Sequence, residues 1–172
     1  MHDQLEIQLL GAFSVRLNDQ PLRSFRSAKT RGLLAYLAAQ PDHEHSRDLL
    51  ATLLWGDLSD TSAKTNLRIE LSNLKKALSA HPALEISRHA VCFHSALAMV
   101  DAPMFQNVVT SFLALPVESQ KDHLPRLLAA TALYQGEFLA GFHVDDAVEY
   151  EDWQLITRER LQNEFLRLQS EV

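Results

Sequence analysis

Residues 60–79, Asp60-Thr-Ser-Ala-Lys-Thr-Asn-Leu-Arg-Ile-Glu-Leu-Ser-Asn-Leu-Lys-Lys-Ala-Leu-Ser79, place leucine at 67, 71, 74 and 78. Steps of four, three and four residues keep all four on one stripe of an α-helix. The opposite face carries Thr65, Ile69, Ser72, Asn73 and Lys76, with Lys64, Arg68 and Lys75 on one flank. Asp60 is a good N-cap and Ser59 another candidate, while Gly56 opens the turn before them. The stretch is therefore a helix with a greasy back and a front of cations, hydroxyls and an amide. Taken alone, that front suits two uses: a solvated basic surface, or contact with phosphates and base edges.

The residues on either side favour the second. The chain has 172 residues, 47% hydrophobic and 22% charged, which suits a folded protein of one medium or two small domains. Its net charge of −6 argues at first against nucleic acid, but the charge is unevenly spread. Before Ser95 there are 11 basic and 10 acidic residues; from Ser95 onward there are 5 and 12. Residues 20–41 hold Arg23, Arg26, Lys29 and Arg31 without an acid, whereas 137–157 hold six acids without a Lys or Arg. Such asymmetry points to a DNA-facing half and an acidic half with another task. The apolar runs are too short to span a bilayer and the N-terminus lacks a signal-peptide pattern, so a cytoplasmic location is expected. The single Cys92 fits a reducing compartment. His43-Glu-His45 is the one close histidine pair; without further ligands at metal spacing it reads as a polar loop.

In chain order, Leu5-Glu-Ile-Gln-Leu9 and Phe13-Ser-Val-Arg-Leu17 alternate with period two and predict strands. Asn18-Asp19-Gln20-Pro21 is a turn leading to a short third strand near 22–25, making a small antiparallel sheet. A first helix is expected from about Ala28 to Ala39, capped by Ser27, with Leu33, Leu34 and Leu37 buried and Pro41 as its stop. A second begins at Ser46, buries Leu49, Leu50, Leu53 and Leu54, and ends at Trp55-Gly56. The helix of residues 60–79 follows a tight turn, which makes a helix-turn-helix pattern. Leu84 and Ile86 alternate, as do Val91 and Phe93, so 84–93 predicts a hairpin with Arg88 and His89 at its tip. Such a hairpin either closes the core or serves as a DNA-contacting wing. The order of strands, three helices and hairpin favours the wing.

Beyond Asp101 the pattern predicts helices only. Asp101 caps one that ends at Leu115-Pro116. A second starts near Asp122 and buries Leu127, Leu128, Ala132 and Leu133. A third runs from about Ala147 to the end, with Tyr150, Leu161, Phe165, Leu168 and Val172 on one stripe and Leu155 and Leu166 on the other side. A helix apolar on two sides calls for two neighbours, so the chain is expected to be part of a longer protein.

Residues 5–94 resemble the OmpR-type winged-helix DNA-binding domain, as carried by the Streptomyces antibiotic regulatory proteins. The likeness rests on Leu9-Leu-Gly-Ala-Phe-Ser-Val15, Arg31-Gly-Leu-Leu-Ala-Tyr-Leu37, Leu53-Leu-Trp55 and Asn66 through Leu78. Residues 101–172 resemble the start of the bacterial transcriptional activation domain, a tetratricopeptide-like module, through Asp101-Ala-Pro-Met-Phe105, Leu133 through Phe142 and Trp153 through Leu161. Where the family commonly has Ser-Arg-Leu-Arg-Arg, this chain has Ser72-Asn-Leu-Lys-Lys76, so no operator sequence carries over. The wing also has Ala90-Val91 in place of a Gly-Tyr pair.

The expectation is thus an α+β winged helix over 1–94 followed by an all-α module over 101–172. The resemblance implies a transcription activator that binds double-stranded DNA on direct repeats, with a homodimer on DNA and an acidic helical module that docks other proteins. The DNA-contacting set is Lys64, Thr65, Arg68, Ile69, Ser72, Asn73, Lys75, Lys76, Arg88 and His89. No cofactor and no membrane is implied. An enzyme is disfavoured because the five glycines make no phosphate-binding motif and Glu149, Glu151 and Asp152 read as a solvated helix start. The alternative is a protein-interaction module whose winged helix no longer binds DNA.

Overall fold

The computed structural model describes residues 3–171. Strands β1 (Leu5–Gln8) and β2 (Ser14–Leu17) pair antiparallel, and β3 (Gln20–Pro21) adds to β2. The third strand thus falls before 22–25. Left-handed Asn18 and Asp19 turn the chain tightly enough for pairing to resume at once.

Helices α1 (Ala28–Ala39), α2 (Arg47–Trp55) and α3 (Asp60–Ala77) follow. Ser27 caps α1 by accepting from the Thr30 N–H at 3.1 Å. Ser46 caps α2 through Leu49 N–H at 3.1 Å. The cap of α3 is Ser59, which accepts from Ser62 N–H; Asp60 lies inside the first turn, where its charge complements the helix dipole. Leu49 is 47% exposed, because at helical spacing it falls just outside the arc of buried Leu50, Ala51, Leu53, Leu54 and Trp55, so the expectation of burial there fails.

The hairpin is β5 (Leu84–Ile86) with β6 (Ala90–Phe93), in register Leu84↔Phe93 and Ile86↔Val91. Strand β4 (His45–Ser46) pairs with β6, giving the order β4-β6-β5. His45 is accordingly no polar-loop residue. It is 5% exposed, its Nε2 donates to the Gln40 carbonyl at 2.9 Å, and its ring meets Tyr36 edge-on.

After the hairpin, residues 95–100 form a short 3₁₀ turn and strand β7 (Met99–Val100), which runs parallel to β1. The first sheet is therefore mixed, in the order β3-β2-β1-β7. Asp101 follows at once. Its carboxylate accepts Leu9 N–H at 2.7 Å and Leu10 N–H at 2.9 Å as well as Ala102 N–H, so it clamps the end of β1 and does more than cap a helix. Burial pushes its pKa up, against the downward pull of those N–H bonds.

The helical part comprises α4 (Asp101–Leu113), α5 (Val117–Gln120), α6 (Leu124–Leu133) and α7 (Val148–Glu171). Leu127 is buried, but Leu128 is 52% exposed and Ala132 is also exposed. The inner face of α6 is narrower than the four-residue set expected and is completed by Ala130. On α7, Tyr150, Leu161 and Leu168 are buried and Leu155 and Leu166 exposed, as two apolar sides require; Val172 lies outside the described residues.

No strand follows β7 among the described residues, yet 138–140 are not helical. Leu139 N–H donates to Leu9 O at 2.8 Å and Gly11 N–H to Glu137 O at 3.0 Å, forming bridges at Leu10↔Phe138 and Ala12↔Ala140. Gly11 has φ +107°, which glycine alone adopts easily. The two parts share one core. Helix α1 lies inside it, buried almost all round, with Tyr36 against Trp153 at 4.7 Å between ring centres. Gly32 lets Val144 and Tyr150 approach its backbone, where a Cβ would lie 2.9 Å from the Val144 methyl.

Candidate nucleic-acid interface

Helix α3 sets the site. Leu67, Leu71, Leu74 and Leu78 are buried at 2% exposure or less. Each such leucine contributes roughly 1.5–3 kcal/mol, enough to fix which face turns out. The C-terminal end is locked by left-handed Ser79 and Ala80, with Ala80 N–H donating to Lys75 O at 2.8 Å. Beyond it, buried His81 donates from Nε2 to the Asp3 carbonyl at 2.6 Å and accepts Ala83 N–H at Nδ1. That contact ties the helix end to the start of β1.

The one acid in the middle of α3, Glu70, is turned toward α1, where its carboxylate accepts the Thr30 hydroxyl and, at 3.5 Å, that of Ser27. The outward face is left with Lys64, Thr65, Arg68, Ile69, Ser72, Lys75 and Lys76, all exposed. Ile69 is 44% exposed, a β-branched apolar residue amid polar neighbours. Asn73 is only half exposed, and its Nδ2 is buried without a hydrogen-bond partner. Bidentate recognition of adenine needs both amide atoms facing out, so it requires the Asn73 side chain to rotate.

A groove of about 730 Å³ runs between α3, the start of α2 and the hairpin turn. Of the ten expected residues it gathers Lys64, Thr65, Arg68, Arg88 and His89. Ile69, Ser72, Asn73, Lys75 and Lys76 lie outside it, further round and along α3.

Two groove residues escaped the sequence analysis. Arg47 donates from Nε to Ser87 O at 3.0 Å, and its backbone N–H to His89 O at 3.0 Å, so it pins the hairpin turn to the start of α2. A cation in the first turn of a helix opposes the dipole, and that misplacement was a readable signal. Asp48 holds Lys64 at 3.1 Å in an exposed ion pair. Nothing in the local spacing shows that Asp48, in the first turn of α2, faces Lys64 of the next helix. The cations of α1 are also engaged: Lys29 donates to Leu54 O at 2.8 Å beneath the Trp55 ring, and Arg31 stacks over Phe142. No group of His, Cys, Asp and Glu able to hold a metal occurs among the described residues. No helix there is long and apolar enough to cross a membrane.

No protein-family model matches the chain, and no curated protein matches it. Among solved structures it is similar to Mycobacterium tuberculosis EmbR, determined in complex with a low-affinity phosphopeptide. The TM-score is 0.72 at 20% sequence identity, over 94% of this chain and 44% of that one. At that identity the likeness is one of fold. The chain spans less than half the length of the structure it matches.

Proposed function

We propose that the chain is a sequence-specific DNA-binding transcription activator of the winged-helix kind, with α3 in the major groove and the β5–β6 hairpin as its wing. One observation carries this: Lys64 and Arg68 of α3 converge with Arg88 and His89 of the hairpin turn on a single groove, while Glu70 is withdrawn toward α1. In this scheme Lys64, Arg68, Lys75 and Lys76 meet phosphates, helped by Arg88 and His89 from the hairpin. Thr65 and Ser72 serve either backbone or base, Ile69 packs on a thymine methyl, and Asn73 reads adenine. The fold shared with EmbR supports the architecture. The stretches that resemble the Streptomyces antibiotic regulatory proteins support the regulator role, a division near residues 94 and 101, and a homodimer on direct repeats. The acidic part beyond Ser95 would repel phosphate and is assigned to docking the transcription machinery or another protein. Such a regulator works in the cytoplasm.

Selection of random duplex DNA by the purified chain tests this, with the enriched site then titrated against salt. About five phosphate contacts predict a log–log slope near −4 to −5. Failure to enrich any site, with a slope near zero, overturns it. A second reading then gains: a protein-interaction module that no longer binds DNA. The Asp48–Lys64 pair and the inward amide of Asn73 are what favour that alternative.

A further inference from the structure

A second groove, of about 510 Å³, opens between β2, β3 and the start of α1 and shares no residue with the α3–hairpin groove. Its floor is apolar: Val15 is buried, and Phe13, Leu22 and Phe25 are half-buried against the core. Its rim is Arg23, Arg26 and Arg31, all exposed. Among the described residues no carboxylate lies within ion-pair distance of any of the three. The acids that could have answered them are engaged elsewhere or absent: Glu70 is taken by Thr30 and Ser27, and residues 20–41 contain none. Arg31 is held in place by stacking on Phe142, 5.6 Å from the ring centre, and Phe142 in turn packs on Phe13.

Unanswered guanidinium forks around an apolar floor select a ligand that is anionic and apolar at once. Duplex DNA offers phosphates but nothing to cover Phe13 and Phe25, so the floor would stay wet. An acidic polypeptide with aromatic or branched aliphatic side chains satisfies both, anchoring in the floor while its carboxylates meet the arginines. The outer strand β3 is only two residues long and contains Pro21, so recognition falls to side chains and not to strand addition.

We propose that this groove docks an acidic protein segment carrying apolar anchors. The proposal stands whether or not α3 reads DNA. The test uses the full chain and a short fluorescent peptide alternating Glu with Leu and Phe, read by anisotropy. Two further probes are the same peptide with Ser in place of Leu and Phe, and a random-sequence duplex. Expected are binding of the first peptide, much weaker binding of the Ser version, and a loss of roughly three- to tenfold in Arg23→Ala/Arg26→Ala. Both arginines are exposed, so the melting temperature of that variant should match the parent. Charge reversal to Arg23→Glu/Arg26→Glu should reject the acidic probe and accept a version with Lys in place of Glu. No binding of the first peptide, equal binding of the Ser peptide, or indifference to charge reversal each overturns the proposal. So does a double Ala variant that keeps the peptide but loses duplex affinity, with a salt slope shallower by about two; the groove would then hold a DNA backbone.

Discussion

Asn73 carries a conflict that a partner would relieve. Its Nδ2 is buried without an acceptor, a state that costs about 1–3 kcal/mol in the free protein. Rotation toward a base edge removes that cost and presents both amide atoms. Asn73→Ala should therefore leave the melting temperature unchanged or raise it, while discrimination at one base position falls by roughly 1–3 kcal/mol in a binding-site selection. A variant that melts lower yet keeps the parent's base preferences assigns Asn73 to the fold instead. His45 makes the opposite kind of prediction. Burial holds its pKa below the ordinary 6.5, with the Gln40 carbonyl opposing and His43 adding to the effect. The unfolded ring thus takes up a proton more readily than the folded one. The stability this ring contributes is full above 6.5 and shrinks as pH falls through that value. Urea unfolding should show declining stability from neutral pH toward about pH 5, and His45→Gln should flatten the decline. An unaltered slope in that variant would move the effect to another group.

Helix α3 separates affinity from shape. Lys75 and Lys76 are exposed beside the last carbonyls of the helix and make no ion pair among the described residues, so both are free for phosphate. Lys75→Ala/Lys76→Ala should weaken all duplex sequences alike and make the salt slope shallower by about two. A selective loss on the preferred site would instead make them base readers. Leu71→Ala, on the other face, should cost about 2–5 kcal/mol of stability through the cavity it leaves. At this scale local order was legible wherever it is written locally. The span of α1 and its Ser27 cap, the leucine stripe of α3 and the register of the hairpin all follow from spacing. What escaped depends on distant partners: β4 exists because β6 lies beside it, and β7 because β1 does. The exposure of Leu49 and Leu128 likewise marks where each buried arc ends, which spacing alone leaves open. In the candidate interface the α3 residues and the hairpin tip could be named from periodicity. Their division into those that share the groove and those that do not, and the strut formed by Arg47, come from how α2 meets the hairpin.

At the scale of the whole molecule, the modules expected over 1–94 and 101–172 contribute to one buried core. Cutting before Asp101 would remove the carboxylate that holds Leu9 and Leu10, uncover Tyr36 and strip the bridges from 138–140. A chain ending at Val100 should lose its cooperative thermal transition, whereas the full chain should melt in one step. A truncated chain that melts sharply near the parent's temperature would restore the separable picture. Asp101→Asn, which keeps one acceptor oxygen but turns an amide toward a backbone N–H, should lower stability by about 1–3 kcal/mol without unfolding the chain.

The parallel pairing of β1 with β7 also sets a schedule. Strand β1 leaves the ribosome well before its second neighbour, residues 99–100, which comes more than ninety residues later, and the bridge at Phe138 comes later still. Until then one edge of β1 offers bare N–H and C=O groups to any passing strand. Pairings this distant raise contact order and slow folding. The nascent chain therefore carries an open edge throughout the synthesis of the residues between β1 and β7, and chaperone dependence during translation should exceed that of a chain built from local hairpins.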